Sequence, residues 1–384
     1  MKALLVVFRL GLLIGFVLES PAMPASAQTT SPKEGQPAAP GLRKLTSDDE
    51  KRVKELAEQI DKSMNADRWD EAIARAEELL ALRTRAQGPK HFETLNAEWR
   101  IKTLRRLASM SDEDRVACQS ANTMKARSKP LLAQGKYAQA QPLLEKALEI
   151  RRLFTDDHPD TADDYNNAAF TLWSQGKYAQ AQPLFEKALE IHRRLFTGDH
   201  PEIAQSYNNL ASSLSFQGKY AQAQPLFEKA LEIRRRLLGD DHPFTAGGYN
   251  DLAANLRASG KYAQAQPLFE KALEIRRRLL TDNHPVTAMS CNNLAANFSS
   301  QGRHTQAQPL YEKALEIQRR LLTDDHPDTA RFYSHLAANL SQQGKYDQAQ
   351  PLYEKALEIQ RRLLTDDHPY TAESYTSLAH NLWS

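Results

Sequence analysis

Residues Tyr207 to Ile233 read YNNLASSLSFQGKYAQAQPLFEKALEI, and this frame returns along most of the chain. Gly218 within it has counterparts at Gly176, Gly260, Gly302 and Gly344, each 42 residues from the last. His158, His200, His242, His284, His326 and His368 keep the same 42-residue period, and every one precedes a proline. Gly135 lies 41 residues before Gly176, because the first clear unit reads IRRLF where the next reads IHRRLF. Self-similarity at such a period marks a repeat architecture and has to be settled before any local motif is interpreted.

One unit shows what a period builds. Tyr249, Leu252, Ala253 and Leu256 recur at helical spacing, and Gly260 then breaks the pattern. Ala265, Leu268, Phe269, Ala272, Leu273 and Ile275 form a second helical stripe. The connection Gly260-Lys261-Tyr262 is so short that the two helices must run antiparallel, and the small residues Ala253, Ala265 and Ala272 let them approach closely. Pro243 suits the first turn of a helix, where its missing N–H would be unpaired anyway, and Asp240 and Asp241 favour the positive helix end. Pro267 is expected early in the second helix or at a bend. Glu232 with Arg236, and Glu274 with Arg278, stand four apart and predict surface pairs that support the helix alone. A lone hairpin leaves an apolar face uncovered, and stacking copies of it is the simple way to bury that face.

The pattern Y-N-N-L-A-x-x-L-x-x-Q-G-K-Y-x-x-A-x-x-x-F-E-K-A-L-E-I resembles the long tetratricopeptide repeat of kinesin light chains and similar bacterial proteins. The resemblance covers residues from about Gln134 to Ser384. It implies an all-α fold, a right-handed superhelical solenoid of stacked antiparallel helical hairpins, over 135–384 with a single helix last. Upstream, in 47–134, the pattern decays. Arg68-Trp69-Asp70-Glu71-Ala72 looks like a worn Gly-Lys-Tyr-x-x-Ala, and Gly88 to Thr94 looks like the histidine turn with Phe92 in place of proline. One divergent unit is therefore expected over Asp48 to His91. The 41 residues from Thr94 to Gln134 exceed what a unit needs, predicting an inserted helix with a break at Ser111-Asp112 that caps or offsets the array.

The first 27 residues read as an export signal: Lys2, the apolar run Leu10 to Leu18, and Ala25-Ser26-Ala27 before the expected cleavage point. That run is well short of the roughly 20 residues that span a bilayer, so no stable membrane span is expected after cleavage. Residues 28–46 are rich in Pro, Ala, Ser and Thr and predict a disordered linker. The expected location is periplasmic or extracellular. Cys118 and Cys291 are too far apart in an elongated array to pair, and Cys291 takes a slot that holds Tyr165, Tyr207, Tyr249, Tyr333 and Tyr375 in other units. It is expected to be a small core residue.

The formal charge of +2 gives no reason to expect a nucleic-acid partner. The sequence lacks a glycine-rich phosphate loop, GxSxG, HExxH and paired CxxC, and its helix-face acids Glu186, Glu228, Glu270, Glu312 and Glu354 recur identically. Catalysis is not expected, and neither is a cofactor. The turn histidines are a helix-packing distance of about 8–10 Å or more apart, too far to share an ion, so they are read as bonding local backbone and no metal is expected.

The resemblance implies a concave groove lined by the first helices and binding protein or peptide ligands. Its backbone-gripping amides would be Asn167, Asn209 and Asn293, with Asn166, Asn208, Asn250 and Asn292 beside them; the other reading is that some merely bridge helices. Phe170, Trp173, Phe216 and Arg257 differ between otherwise copied units and are candidate specificity positions. Asp163, Gln205, Gly247 and Met289 stand where chaperone-type relatives carry a lysine-rich carboxylate clamp, so such a clamp is not expected. Leu378, Leu382 and Trp383 predict self-association through the C-terminal helix. The alternative function is a docking or sensing module of a larger effector, such as one with a downstream caspase-like peptidase domain.

Overall fold

The computed structural model describes residues 45–154, 157–196, 198–322, 326–364 and 369–383. The expected signal segment, nearly all of the linker and His368 lie outside the described residues. The chain divides into two compact units, with the boundary between Gly239 and Asp240.

In the first unit, α1 (Ser47–Asn65), α2 (Trp69–Gln87) and α3 (Phe92–Ser109) precede α4 (Asp112–Ala133). There follow α5 (Tyr137–Phe154), α6 (Pro159–Ser174), α7 (Tyr178–Leu195), α8 (Pro201–Phe216) and α9 (Tyr220–Leu238). The second unit holds α10 (Pro243–Ala258), α11 (Tyr262–Leu280), α12 (Pro285–Ser300), α13 (His304–Leu322), α14 (Pro327–Ser341), α15 (Tyr346–Leu364) and α16 (Pro369–Trp383). No strand occurs among the described residues. The hairpins are α1/α2, α4/α5, α6/α7, α8/α9, α10/α11, α12/α13 and α14/α15, and within each unit the repeats stack on their neighbours. The chain is therefore an all-α array of antiparallel hairpins, as the period requires.

Each hairpin turn is built the same way. In α10 the Gly260 N–H bonds the Arg257 carbonyl at 3.0 Å and the Lys261 N–H bonds the Leu256 carbonyl at 2.9 Å. These paired bonds close the helix only if the intervening residue is left-handed, and Gly260 has φ +81°. Behind the turn, Ala253, Ala265 and Ala272 are fully buried beside Phe269 and Ile275. Pro267 sits in the second turn of α11, which runs on unbroken to Leu280. Cys291 is buried in its tyrosine slot, as a small core residue.

The histidine of each described His-Pro pair is the helix N-cap. Nδ1 of His158, His200, His242, His284 and His326 accepts the N–H two residues on, at 3.1–3.2 Å. This fills one of the orphan donors of the first turn. His91 does the same for Glu93 at 3.2 Å, so the worn turn retains its cap although Phe92 replaces proline.

One expectation needs correction. The arginines near the ends of the second helices do more than support their own helix, because Arg236 also makes a two-pronged contact with Asp199, 37 residues back, at 2.5 and 2.7 Å. Arg194 also reaches Asp157 and Arg278 reaches Asp241, each through one guanidinium nitrogen, linking successive repeats inside each unit. The long second helix carries the guanidinium far enough to meet the acid of the turn before its own hairpin.

The inserted helix is α3, and Ser111 caps α4 by accepting the Asp114 N–H at 3.1 Å, so the break falls at the predicted place. α3 lies along the histidine turns of α6 and α8. Thr103 Oγ1 and His158 Nε2 are 2.6 Å apart, and His200 Nε2 is 3.1 Å from Asn96 Oδ1. Trp99 meets the His158 ring edge-on at 5.9 Å, and Phe92 meets His200 at 6.1 Å.

Candidate functional site

The residues that differ most between repeats gather on the first helices. The second helices α9 and α11 are identical over all 19 residues, whereas the first helices α10 (PFTAGGYNDLAANLRA) and α12 (PVTAMSCNNLAANFSS) diverge widely. Copying fixes the stacking surfaces and leaves the first-helix face free to vary.

The amide ladder expected on this face divides into two rows. Asn208, Asn250 and Asn292 are buried, and two of them join neighbouring first helices. Asn293 donates to Asn250 at 2.9 Å, while Asn292 Oδ1 lies 2.7 Å from His335 Nδ1. Asn166, Asn167, Asn209 and Asn293 are half-buried. Asn166 and Asn209 also bridge α6 to α8: Asn166 donates to Ser206 and Asn209 donates to Asn166, each at 3.4 Å, with Gln205 donating to Asn209 at 2.7 Å. Among the described residues the Asn167 side chain makes no hydrogen bond, and its amide can both donate and accept. A further row of amides stitches repeats together from the other end of the first helices: Asn297, Asn339 and Asn381 donate to the carbonyls of Tyr262, His304 and Tyr346 at 3.0–3.1 Å.

Phe170, Trp173 and Phe216 come together, but near the hairpin turns. Trp173 is buried, stacked with Phe170 at 6.1 Å and edge-on to Phe216 at 4.7 Å, with Tyr137 and Tyr178 completing the cluster. Arg257 is separate from them, in the other unit. It is only 8% exposed, and its Nε has no hydrogen-bond partner. Burial lowers its pKa, and the neighbouring Tyr311 and Tyr262 hydroxyls are the groups that oppose the shift.

The first-helix face also carries a charge constellation that sequence reasoning did not assemble. Arg151 donates to Asp164 at 2.6 Å and to Asn122 at 2.6 Å, and Lys125 pairs with the second Asp164 oxygen at 2.8 Å. One repeat further, Asp163, His192 and Glu202 each place a donor atom within 4.8 Å of the other two. Asp163 and Glu202 are half-buried, and His192 is fully buried. Desolvation and then the Glu202 charge push the Asp163 carboxyl up, against the pull of Lys125; desolvation also raises Glu202 and lowers His192 to about 4. The signal for this cluster was present in the sequence as the single histidine of IHRRLF, where three sibling units carry arginine and two carry glutamine.

The tetratricopeptide repeat family matches residues 131–194, 165–236, 202–278, 244–320, 287–350 and 328–384. Among solved structures, the chain is similar to a putative kinesin light chain of Podosopora anserina with nearly identical TPR-like repeats. That likeness has 26% identity and a TM-score of 0.48, and covers 53% of this chain and 97% of the other. BtubC (BKLC) from P. vanneervenii is 21% identical, over 67% of this chain and 95% of its own, with a TM-score of 0.48. A Rap protein complexed with Competence and Sporulation Factor is 15% identical, over 86% and 98% of the two chains, with a TM-score of 0.50. No curated protein matches the sequence.

Proposed function

Since the chain belongs to the tetratricopeptide repeat family, a scaffold fold of protein interaction, we propose that its first-helix face binds a protein or an extended peptide. The observation that carries this reading is the concentration of variation on the first helices: α10 and α12 differ at half of their positions while the second helices α9 and α11 are exact copies. Half-buried Asn167 and Asn209 lie on the first helices of the first unit and Asn293 on those of the second, with amides able to donate to and accept from a peptide backbone. The export signal read in the first 27 residues supports action outside the cytoplasm.

The test is affinity capture from periplasm or culture medium with the unaltered chain and with Asn167→Ala, Asn209→Ala and Asn293→Ala combined. Loss of specific partners from the variant supports the reading. An unchanged partner set removes these amides from the site.

A second reading adds self-association through α16, where Leu382 is 61% and Trp383 90% exposed. Light scattering then gives a dimer mass for the chain and a monomer mass for Leu382→Lys. A monomer in both cases refutes it.

A further inference from the structure

We propose that Asp163, His192 and Glu202 form a binding site for one divalent metal ion of the zinc class. Their donor atoms converge within 4.8 Å of one another from three helices or helix ends. His192 Nε2 is buried without a hydrogen-bond partner and lies 4.0 Å from Asp163 Oδ1. A buried ring nitrogen left unpaired costs free energy unless something occupies the space in front of it.

The repeat itself shows what that space is for. The residue at the Asp163 position pairs, 29 residues on, with the residue at the His192 position. In the preceding repeat Arg151 donates to Asn122 at 2.6 Å, and in the following one Arg234 donates to Gln205 at 3.3 Å. Both adjacent repeats fill the slot with a guanidinium facing a neutral amide, while α13 and α15 hold the neutral Gln318 and Gln360 there. Here an aspartate replaces the amide and a neutral imidazole replaces the guanidinium. The slot has lost the cation of its adjacent repeats and gained a negative charge at Asp163; Glu202 keeps the acid that faces Arg151 as Asp160 in the preceding repeat, where α10 and α12 carry Phe244 and Val286. Lys125, the nearest lysine of the cluster, is held by Asp164 at 2.8 Å and competes by its charge without filling the slot.

The tautomer is also prepared. Two repeats on, Arg276 donates to Ser290 at 2.6 Å, so the serine of this register accepts from the slot residue. His192 Nδ1 stands 2.8 Å from the equivalent Ser206 hydroxyl, and donation there leaves Nε2 with its lone pair directed toward Asp163. Metal-bound histidines are commonly oriented by such a second hydrogen bond. One imidazole and two carboxylates suit zinc better than magnesium or calcium, and three protein ligands leave the fourth position open. Zinc donors at about 2.0–2.1 Å from the ion lie roughly 3.4 Å apart, so the half-buried carboxylates must close by about 1 Å while His192 stays fixed.

The experiment is titration of the purified, chelator-stripped full chain with zinc chloride by calorimetry, with magnesium chloride as the control. One zinc per chain is expected, with a dissociation constant of micromolar or tighter, and no magnesium binding at the same concentrations. His192→Arg and Asp163→Gln install the residues of sibling repeats, so both are expected to keep the helical circular dichroism of the parent. Each should weaken zinc binding at least tenfold. No saturable zinc binding by the parent overturns the proposal, as does binding that both folded variants retain unchanged.

Discussion

Replacing His200 with asparagine separates the helix cap from the packing of the ring and makes the cost of the change depend on pH. The His200 ring is buried, caps α8 through Nδ1, donates from Nε2 toward Asn96 at 3.1 Å and stacks on Phe196 at 3.6 Å. Asparagine is a good N-cap, so the variant loses the stacking and the Asn96 bond but keeps the cap. At pH 7 this is expected to cost about 2–3 kcal/mol, a ring contact plus a hydrogen bond with its packing. Acid reverses the comparison. Burial, and then the nearby His192, hold the His200 pKa at about 3, against about 6.5 for an unfolded histidine. The folded state therefore refuses a proton that the unfolded state takes up. The stability contributed by neutral His200 is fully present above pH 6.5 and is lost as pH falls from there towards 3. The slope is about 1.4 kcal/mol per pH unit. Urea unfolding followed by circular dichroism, at half-unit steps from pH 7.5 to 4.5, compares parent and variant. Other titrating groups affect both proteins, so the difference isolates His200. The parent's advantage should shrink below pH 6.5 and vanish near pH 5 to 4.5. A gap that stays constant over the whole range would refute the neutral, capping histidine.

Gly260→Ala should lower stability by about 1 kcal/mol, since the turn demands a left-handed residue at φ +81°; a rise in the urea midpoint would show that the turn relaxes without cost. Arg257→Met replaces a buried guanidinium that has no ion pair among the described residues with an apolar side chain of similar length, and is expected to raise stability by about 1–3 kcal/mol, read from the urea midpoint. Trp99→Ala removes the ring packed against His158, and hydrogen exchange in α3 should quicken by tenfold or more while α10 to α13 keep their protection; equal effects in both regions would contradict local docking of α3.

Most of the fold was legible because repetition amplifies weak signals. A glycine at one hairpin turn is ambiguous, but Gly218, Gly260, Gly302 and Gly344 at equal spacing fix the turn and with it both helices. The His-Pro pairs marked helix starts for the same reason. The placement of α3 was not legible, because Asn96 meets His200 across 104 residues of sequence and belongs to no period. The second contact of Arg236 with Asp199 was hidden likewise, since helix spacing alone points only to Glu232. On the first-helix face, residue type located the asparagines but could not say which were buried. Adjacent Asn208 and Asn209 differ by one helical step, and that step decides which is enclosed between helices. Asp163, His192 and Glu202 escaped notice because each is unremarkable alone. They stand out only when the slot is compared with its Arg151 and Arg234 siblings.

Site-specific photocrosslinking most directly tests whether the first-helix face is the working surface. A photoreactive phenylalanine placed at Asn167 or Asn209 is compared with the same group at the exposed second-helix positions Glu186 and Glu228, in extract from the compartment where the chain resides. Discrete adducts with a protein or peptide are predicted from the two asparagine positions and none from the two glutamates. Adducts arising from Glu186 and Glu228 alone would contradict the account.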